Sequence, residues 1–140
     1  MSKAFVRSLF PNLPVRDLER SKRFFSAIGF EFNPQFTDDT AACMVVSEHA
    51  YVMLLTEKRF ADFTCKPVAD ARKVTEGILA ISASTREEVD RMGDKALAEG
   101  GSAAQAPSDL GFMYTRSFFD PDGHHWEVFW MDPSTLGESA

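Results

Sequence analysis

The fold is decided by residues 9–30, which read LFPNLPVRDLERSKRFFSAIGF. A strand is predicted over residues 9–15, where two prolines favour a sheet edge or a strand end. A helix is predicted to follow, because Asp17 suits the N-cap position, apolar residues recur at helical spacing and Gly29 provides a C-terminal stop. The stretch therefore begins as a strand followed by a helix.

Three apolar, strand-like runs come next, over residues 30–36, 41–46 and 51–56. Together with the preceding elements they give the order βαβββ. Residues 57–75 mix charged and aromatic residues without a clear period, so we interpret them as a short helical turn and a connecting arm.

The pattern then starts again. A strand is predicted over 78–83, and a helix is expected to begin at a capping box of Ser84 and Glu87. Gly100 and Gly101 end this helix, and three short strands are predicted near 102–106, 111–119 and 124–131.

An offset of 68 residues carries Phe10 to Ile78 and Asp17 to Thr85, so the chain contains two copies of βαβββ. The modules extend over about residues 5–56 and 76–132. No Gly/Ser-rich linker separates them, and neither is long enough to bury a core comfortably alone. We therefore expect one domain spanning 1–140, of the α+β class.

Composition narrows the function classes. The 140 residues are 44% hydrophobic, which suits one domain with a sizeable core. Fifteen Lys and Arg against 21 Asp and Glu give a formal charge of −6, which argues against a nucleic-acid partner. No apolar run suggests a membrane span or a signal peptide, so a cytoplasmic location is expected. Two cysteines supply neither a disulfide framework nor a thiol-rich zinc site.

Two segments resemble the vicinal oxygen chelate superfamily, which includes glyoxalase I, extradiol dioxygenases, fosfomycin-resistance enzymes and bleomycin-resistance proteins. They are residues 13–21, LPVRDLERS, and residues 119–128, FDPDGHHWEV. The resemblance covers nearly the whole chain. It implies a glyoxalase-like fold in which the mixed sheets of two modules form a cup around a ligand site, usually in a homodimer.

Enzymes of that superfamily hold one divalent metal in the cup through ligands on the first and last strands of each module. The resemblance places the four ligand positions at Phe10, within residues 51–55 with Leu54 as the favoured residue, at Ile78 and at Glu127. Phe, Leu and Ile offer no lone pair to a metal, and one carboxylate alone does not fix a divalent ion. We therefore expect no cofactor, with zinc, nickel or iron as the alternative and Glu127 as its one evident ligand.

Glu127 is the principal candidate residue. It is predicted to point into an apolar cup as a general acid/base or as the polar handle for a ligand, although a neighbour that satisfies its charge would make it purely structural. His125 alternates in phase with Glu127 and Tyr114 could offer a hydroxyl, while packing roles remain open for both. Phe10, Leu54 and Ile78 are expected to line the cup.

The turn Asp120-Pro121-Asp122-Gly123 leaves two hairpin registers open. A three-residue loop with a bulge at Gly123 sets Ser117 opposite Glu127, which is the register we favour. A two-residue loop sets Arg116 there instead, and Arg116 would then neutralise Glu127.

Two functions follow from these residues. The first is a glyoxalase-like protein without most of the usual metal ligands, which binds or sequesters a small, largely apolar ligand. The alternative is a metal-dependent lyase or isomerase similar to lactoylglutathione lyase, or a dioxygenase-type enzyme, with a rearranged metal site that recruits Glu127 and His125.

Overall fold

The structure is a computed structural model of a single chain and describes residues 4–135. The chain divides into two compact units, unit 1 at Met1–Val68 and unit 2 at Ala69–Ala140. Each unit combines helix with a mixed sheet, so the predicted α+β class is confirmed. Within residues 4–135, none of the helices reaches the length and apolar content that a membrane span needs. That the two units form one domain stays a prediction.

Unit 1 has the predicted order βαβββ. Its four strands form one sheet in the order β1-β4-β3-β2, in which β1 is parallel to β4 and the other pairs are antiparallel. A short helix, α2, opens the connecting arm, as expected. The elements are β1 (Asn12–Val15), α1 (Leu18–Ile28), β2 (Glu31–Phe32), β3 (Ala41–Ser47), β4 (Ala50–Thr56) and α2 (Glu57–Ala61).

Helix α1 begins and ends where its caps predict. The Asp17 carboxylate accepts a hydrogen bond from the backbone N of Arg20 at 3.1 Å, and Gly29 ends the helix with φ 126. The strand predicted over 30–36 is shorter than expected. It stops after β2 because the Asn33 side chain caps a 3₁₀ turn at Pro34–Phe36, in which proline has no N–H for a sheet ladder.

Unit 2 repeats the plan with its second strand broken in two. The sheet order is β5-β9-β8-β6, with β7 also pairing with β8, and β5 is parallel to β9. The elements are β5 (Ile78–Ser82), α3 (Arg86–Ala98), β6 (Ser102–Ala103), β7 (Ser108–Asp109), β8 (Met113–Phe119) and β9 (His125–Met131).

The start of α3 lies one residue later than predicted. Thr85 is the N-cap and accepts a hydrogen bond from the backbone N of Glu88 at 3.0 Å. The Glu88 carboxylate in turn accepts one from the backbone N of Ser84 at 2.7 Å. Glu88 therefore takes the place that the prediction gave to Glu87.

Helix α3 covers one face of the unit 2 sheet. Phe118, Trp126 and Val128 are almost wholly buried on that face, as is Val89 of the helix. Side chains alternate along a strand, so the neighbouring residues point to the opposite face and stay partly exposed. We call this opposite face the open face; its central members are Ala80, Ser117, Phe119, His125, Glu127 and Phe129.

Candidate functional site

The β8–β9 turn sets which residues reach the open face. The backbone N of Gly123 donates to Asp120 O at 2.9 Å, and Gly123 adopts φ 92, the left-handed conformation that glycine tolerates best. Ser117 is consequently opposite Glu127, and Arg116 is opposite Val128. This confirms the register of the three-residue loop.

Asp120 holds this turn together from inside. It is 4% exposed, and its carboxylate accepts hydrogen bonds from the backbone N of Asp122 at 2.9 Å and of His124 at 3.0 Å, and from Trp126 Nε1 at 2.9 Å. Burial raises the pKa of Asp120, and the nearby His124 opposes that rise. The turn is thus fixed by one buried side chain, and so is the phase of β9.

Glu127 occupies the middle of the open face. Its neighbours on the adjacent strands are Ala80 on β5 and Ser117 on β8, and both side chains are small. The Ser117 hydroxyl is engaged by the backbone N of Gln105 at 2.9 Å. The Glu127 carboxylate forms no hydrogen bond or ion pair with any other residue between 4 and 135. A partly buried carboxylate is therefore left available beside the small, exposed Ala80.

Arg116 and Tyr114 lie on the other face, beneath α3. Arg116 Nη1 is 3.1 Å from an Asp90 oxygen and 2.9 Å from an Asp94 oxygen, and the Tyr114 hydroxyl donates to Asp90 at 2.6 Å. The Tyr114 hydrogen bond and the guanidinium lower the pKa of Asp90, while Asp90 raises the pKa of Tyr114. The placement of Tyr114 beside the ligand is wrong, because strand alternation sends it to the helix side.

His125 and Ile78 lie beside Glu127 on the open face. Ile78 is opposite His125 and is 53% exposed. The His125 ring packs edge-on against Phe119, with centroids 5.3 Å apart and planes at 65°. Its Nε2 is buried and has no hydrogen-bond partner among residues 4–135. Ile78, His125 and Glu127 are therefore brought together in unit 2.

Phe10 lies on the corresponding face of unit 1. It stacks on Tyr51 with centroids 4.7 Å apart and planes at 7°, and it is 48% exposed. Leu54 is fully buried on the side where α1 packs, whereas its neighbour Met53 shares the face of Asn12. In unit 1 Tyr51 lies beside Phe10, just as His125 lies beside Ile78 in unit 2. Met53 comes two residues after Tyr51, as Glu127 comes two residues after His125, so Met53 is the counterpart of Glu127. The predicted position of Leu54 is wrong by one residue.

The donors at the four corresponding positions do not fit the divalent metal that the resemblance implies. The positions hold Phe10, Met53, Ile78 and Glu127, which together offer one carboxylate and one thioether. In the part of the chain that the structure describes, no three His, Cys, Asp or Glu side chains lie close enough together to hold a metal ion. A catalytic divalent ion needs at least three protein ligands, and these four positions do not supply them.

Ala80 is the site residue that sequence reasoning missed. It contributes by being small, and its position beside Glu127 follows from the parallel pairing of β5 with β9. The 68-residue repeat indicates part of this arrangement, because it makes β5 the first strand and β9 the last strand of the second module, and these two strands are neighbours in the sheet.

Comparison with known proteins gives a consistent result. Residues 7–47 match the family model of the bleomycin resistance protein-like N-terminal region. The solved structure of hypothetical protein SA1046 from S. aureus is 29% identical, with a TM-score of 0.76 and coverage of 91% of this chain and 95% of that one. No curated protein matches.

Two further solved structures share the fold at lower identity. A glyoxalase-related enzyme from Fulvimarina pelagi is 20% identical, with a TM-score of 0.75 and coverage of 90% of this chain and 88% of that one. A glyoxalase/bleomycin resistance protein/dioxygenase family enzyme from Burkholderia phytofirmans is 16% identical, with a TM-score of 0.71 and coverage of 87% and 96%. The fold expected from the sequence is thereby confirmed.

Proposed function

We propose a ligand-binding function for this chain, starting from its resemblance to the vicinal oxygen chelate superfamily and its glyoxalase/bleomycin resistance-like fold. The open face of unit 2 binds a small, largely apolar molecule that carries a cationic or hydrogen-bond-donating group. Glu127 is the polar handle that receives this group.

The observation that carries the proposal is the solitary carboxylate of Glu127. A charged group that is partly removed from water without a partner raises the free energy of the free protein. A ligand that donates to it recovers that cost, and a hydrogen bond to a charged group contributes about 1.5–3 kcal/mol. Ala80, which is small and exposed, leaves the ligand room to approach.

The surroundings of Glu127 suit an apolar ligand body. Ile78 is exposed and the rings of Phe119 and Phe129 share the face, so apolar surface is available on both sides of the carboxylate. His125 is the second polar side chain within reach. Binding of this kind needs no reacting group, which favours sequestration over turnover.

A panel of small molecules tests the proposal. We expect amines with an apolar body to raise the melting temperature of the untagged protein more than carboxylates or alcohols of matched shape. Glu127→Gln should weaken the best amine by about 10-fold to 150-fold, the loss of one charge-assisted hydrogen bond. Glu87→Gln, a matched charge change on α3, should bind like the wild type. Equal binding by Glu127→Gln would remove the proposal.

A metal-dependent lyase, isomerase or dioxygenase-type activity is the second candidate. The buried, unpartnered Nε2 of His125 on the same face as Glu127 favours it. Elemental analysis of untagged protein after dialysis against zinc, nickel or iron decides: one equivalent of metal that disappears in Glu127→Ala supports this candidate. Methylglyoxal–glutathione turnover that stays flat with each of these ions removes its lactoylglutathione lyase-like form.

A homodimer in the cytoplasm completes the proposal. The segment that leads into β1 exposes four large apolar side chains, Phe5, Val6, Leu9 and Phe10, at 83%, 58%, 68% and 48%. Several large apolar side chains exposed along one segment favour an interface. Light scattering should give twice the 15.6 kDa chain mass, and a monomer at micromolar concentration would contradict the dimer. Cell fractionation tests the location.

A further inference from the structure

Unit 2 contains a cavity at the end of its sheet where the β8–β9 hairpin turns. It has a volume of about 380 Å³ and lies between three segments: residues 71–75 of the connecting arm, the chain just after α3, and the β8–β9 turn. The volume lies within the range of small-molecule sites. Glu127 and His125 do not line it.

The cavity is held open by a close contact between the arm and the turn. A Cβ on Gly123 would lie 2.8 Å from Ala71 O and from Arg72 Cα, so the arm rests directly on the glycine. The arm itself turns here, since the backbone N of Lys73 and of Val74 donate to Asp70 O at 2.9 and 3.1 Å. The walls are therefore fixed by backbone on two sides.

The charges at the cavity favour an anion. Lys73 forms no ion pair with any residue in the described range, and the Arg72 side chain reaches Asp70 through one long contact, from Nε to Oδ1 at 3.4 Å. The lining acid, Asp120, directs its carboxylate to three N–H groups and is thereby offset. Two cationic side chains are left to interact with an occupant.

The remaining lining groups add hydrogen bonding and an apolar wall. Thr75 and Ser102 line the cavity, and their hydroxyls have no hydrogen-bond partner between residues 4 and 135. Phe119 lines it too. A carboxylate attached to an apolar group would therefore meet cations and hydroxyls at one end and the aromatic ring at the other.

We propose that this cavity binds a small organic carboxylate, with Lys73 and Arg72 at its oxygens and Phe119 against its apolar part. The cavity shares Phe119 with the open face, but neither Glu127 nor His125 lines it and it prefers the opposite charge, so it does not depend on the function proposed for Glu127.

Nuclear magnetic resonance titration of the full chain with benzoate tests the proposal. We expect the amide signals of residues 71–75, 100–102 and 119–123 to shift together and to saturate. Benzylamine, which has the same ring and the opposite charge, should leave the signals of residues 71–75 and 100–102 unmoved. Added sodium chloride should weaken benzoate, because the cations are partly exposed. Glu127→Gln should bind benzoate like the wild type, which separates this proposal from the first.

Lys73→Gln is the decisive variant. It should weaken benzoate by about tenfold, the loss of one partly exposed charge-assisted hydrogen bond. Lys66→Gln makes the same charge change outside the cavity and should have no effect. The proposal is overturned by unmoved signals, by equal binding of benzylamine or by unchanged affinity in Lys73→Gln. Inorganic phosphate that binds as tightly as benzoate also overturns it, because Phe119 would then contribute nothing.

Discussion

At Gly93 on α3, an added methyl group should lower the free energy of unfolding in the wild type and raise it in the Arg116→Ala variant. Gly93 is buried, and a Cβ there would lie 2.8 Å from Arg116 Cζ and 2.9 Å from Arg116 Nε. In a free helix, glycine to alanine stabilises by about 1 kcal/mol. Here the methyl group meets a guanidinium that is 15% exposed and held by Asp90 and Asp94.

Two terms set the expected change for Gly93→Ala. Displacing a packed group to admit an extra methyl costs about 1–3 kcal/mol. The gain in helix propensity offsets about 1 kcal/mol of this cost. In the wild-type background, Gly93→Ala should therefore lower the free energy of unfolding by about 1 kcal/mol. In Arg116→Ala the obstacle is gone, and Gly93→Ala should stabilise by about 0.5–1 kcal/mol. The coupling energy between the two positions is then about 2 kcal/mol.

Urea unfolding of the wild type, both single variants and the double variant measures this coupling. Lys95→Gly against Lys95→Ala, at an exposed position of the same helix, calibrates the propensity term. Stabilisation of the wild type by Gly93→Ala would refute the reasoning, as would the same destabilisation in both backgrounds.

Two other predictions follow from buried and paired carboxylates. Asp120→Ala should lower the free energy of unfolding by about 3 kcal/mol, because it removes the buried acceptor of three hydrogen bonds, from Trp126 Nε1 and from the backbone N of Asp122 and of His124. Urea unfolding followed by tryptophan fluorescence measures this loss, and a loss below about 1 kcal/mol contradicts the prediction. The lowered pKa of Asp90 stabilises the fold above its unfolded value near 3.8, and this contribution is lost as the pH falls through the folded value. Stability should therefore drop as the pH falls through 3.8 and below, and Asp90→Asn should flatten the drop. An unchanged pH profile in the variant contradicts the pairing.

Local signals account for what the sequence predicted well. The caps at Asp17 and Gly29 fixed the ends of α1, because both act within four residues. The turn chemistry before Gly123 was enough to choose the hairpin register, and with it the partner of Glu127. These features depend on neighbours along the chain, which a sequence displays directly.

Long-range pairing accounts for the errors. The sequence does not show whether Leu54 or Met53 faces the ligand side, because the phase of β4 is set by its pairing with β1, about forty residues away. Nothing local to Tyr114 shows which side of the sheet α3 covers, so its face is not predictable either. Because side chains alternate along a strand, an error of one residue in the phase places a side chain on the opposite face of the sheet.

The cavity was missed for a related reason. Residues 57–75 have no hydrophobic period, so their sequence gave no sign that the arm returns to the β8–β9 turn. The contact between Gly123 and Ala71 joins segments about fifty residues apart. Contacts of this kind depend on the folded path of the chain.

The proposed role of Glu127 is tested most directly by one calorimetric titration. The tightest amine of the panel is titrated into the wild type and into Glu127→Gln, each in excess EDTA. We predict that the wild type keeps its full affinity in EDTA and that Glu127→Gln binds about 10-fold to 150-fold more weakly. Loss of wild-type binding in EDTA, or equal affinity in the two proteins, would contradict the account.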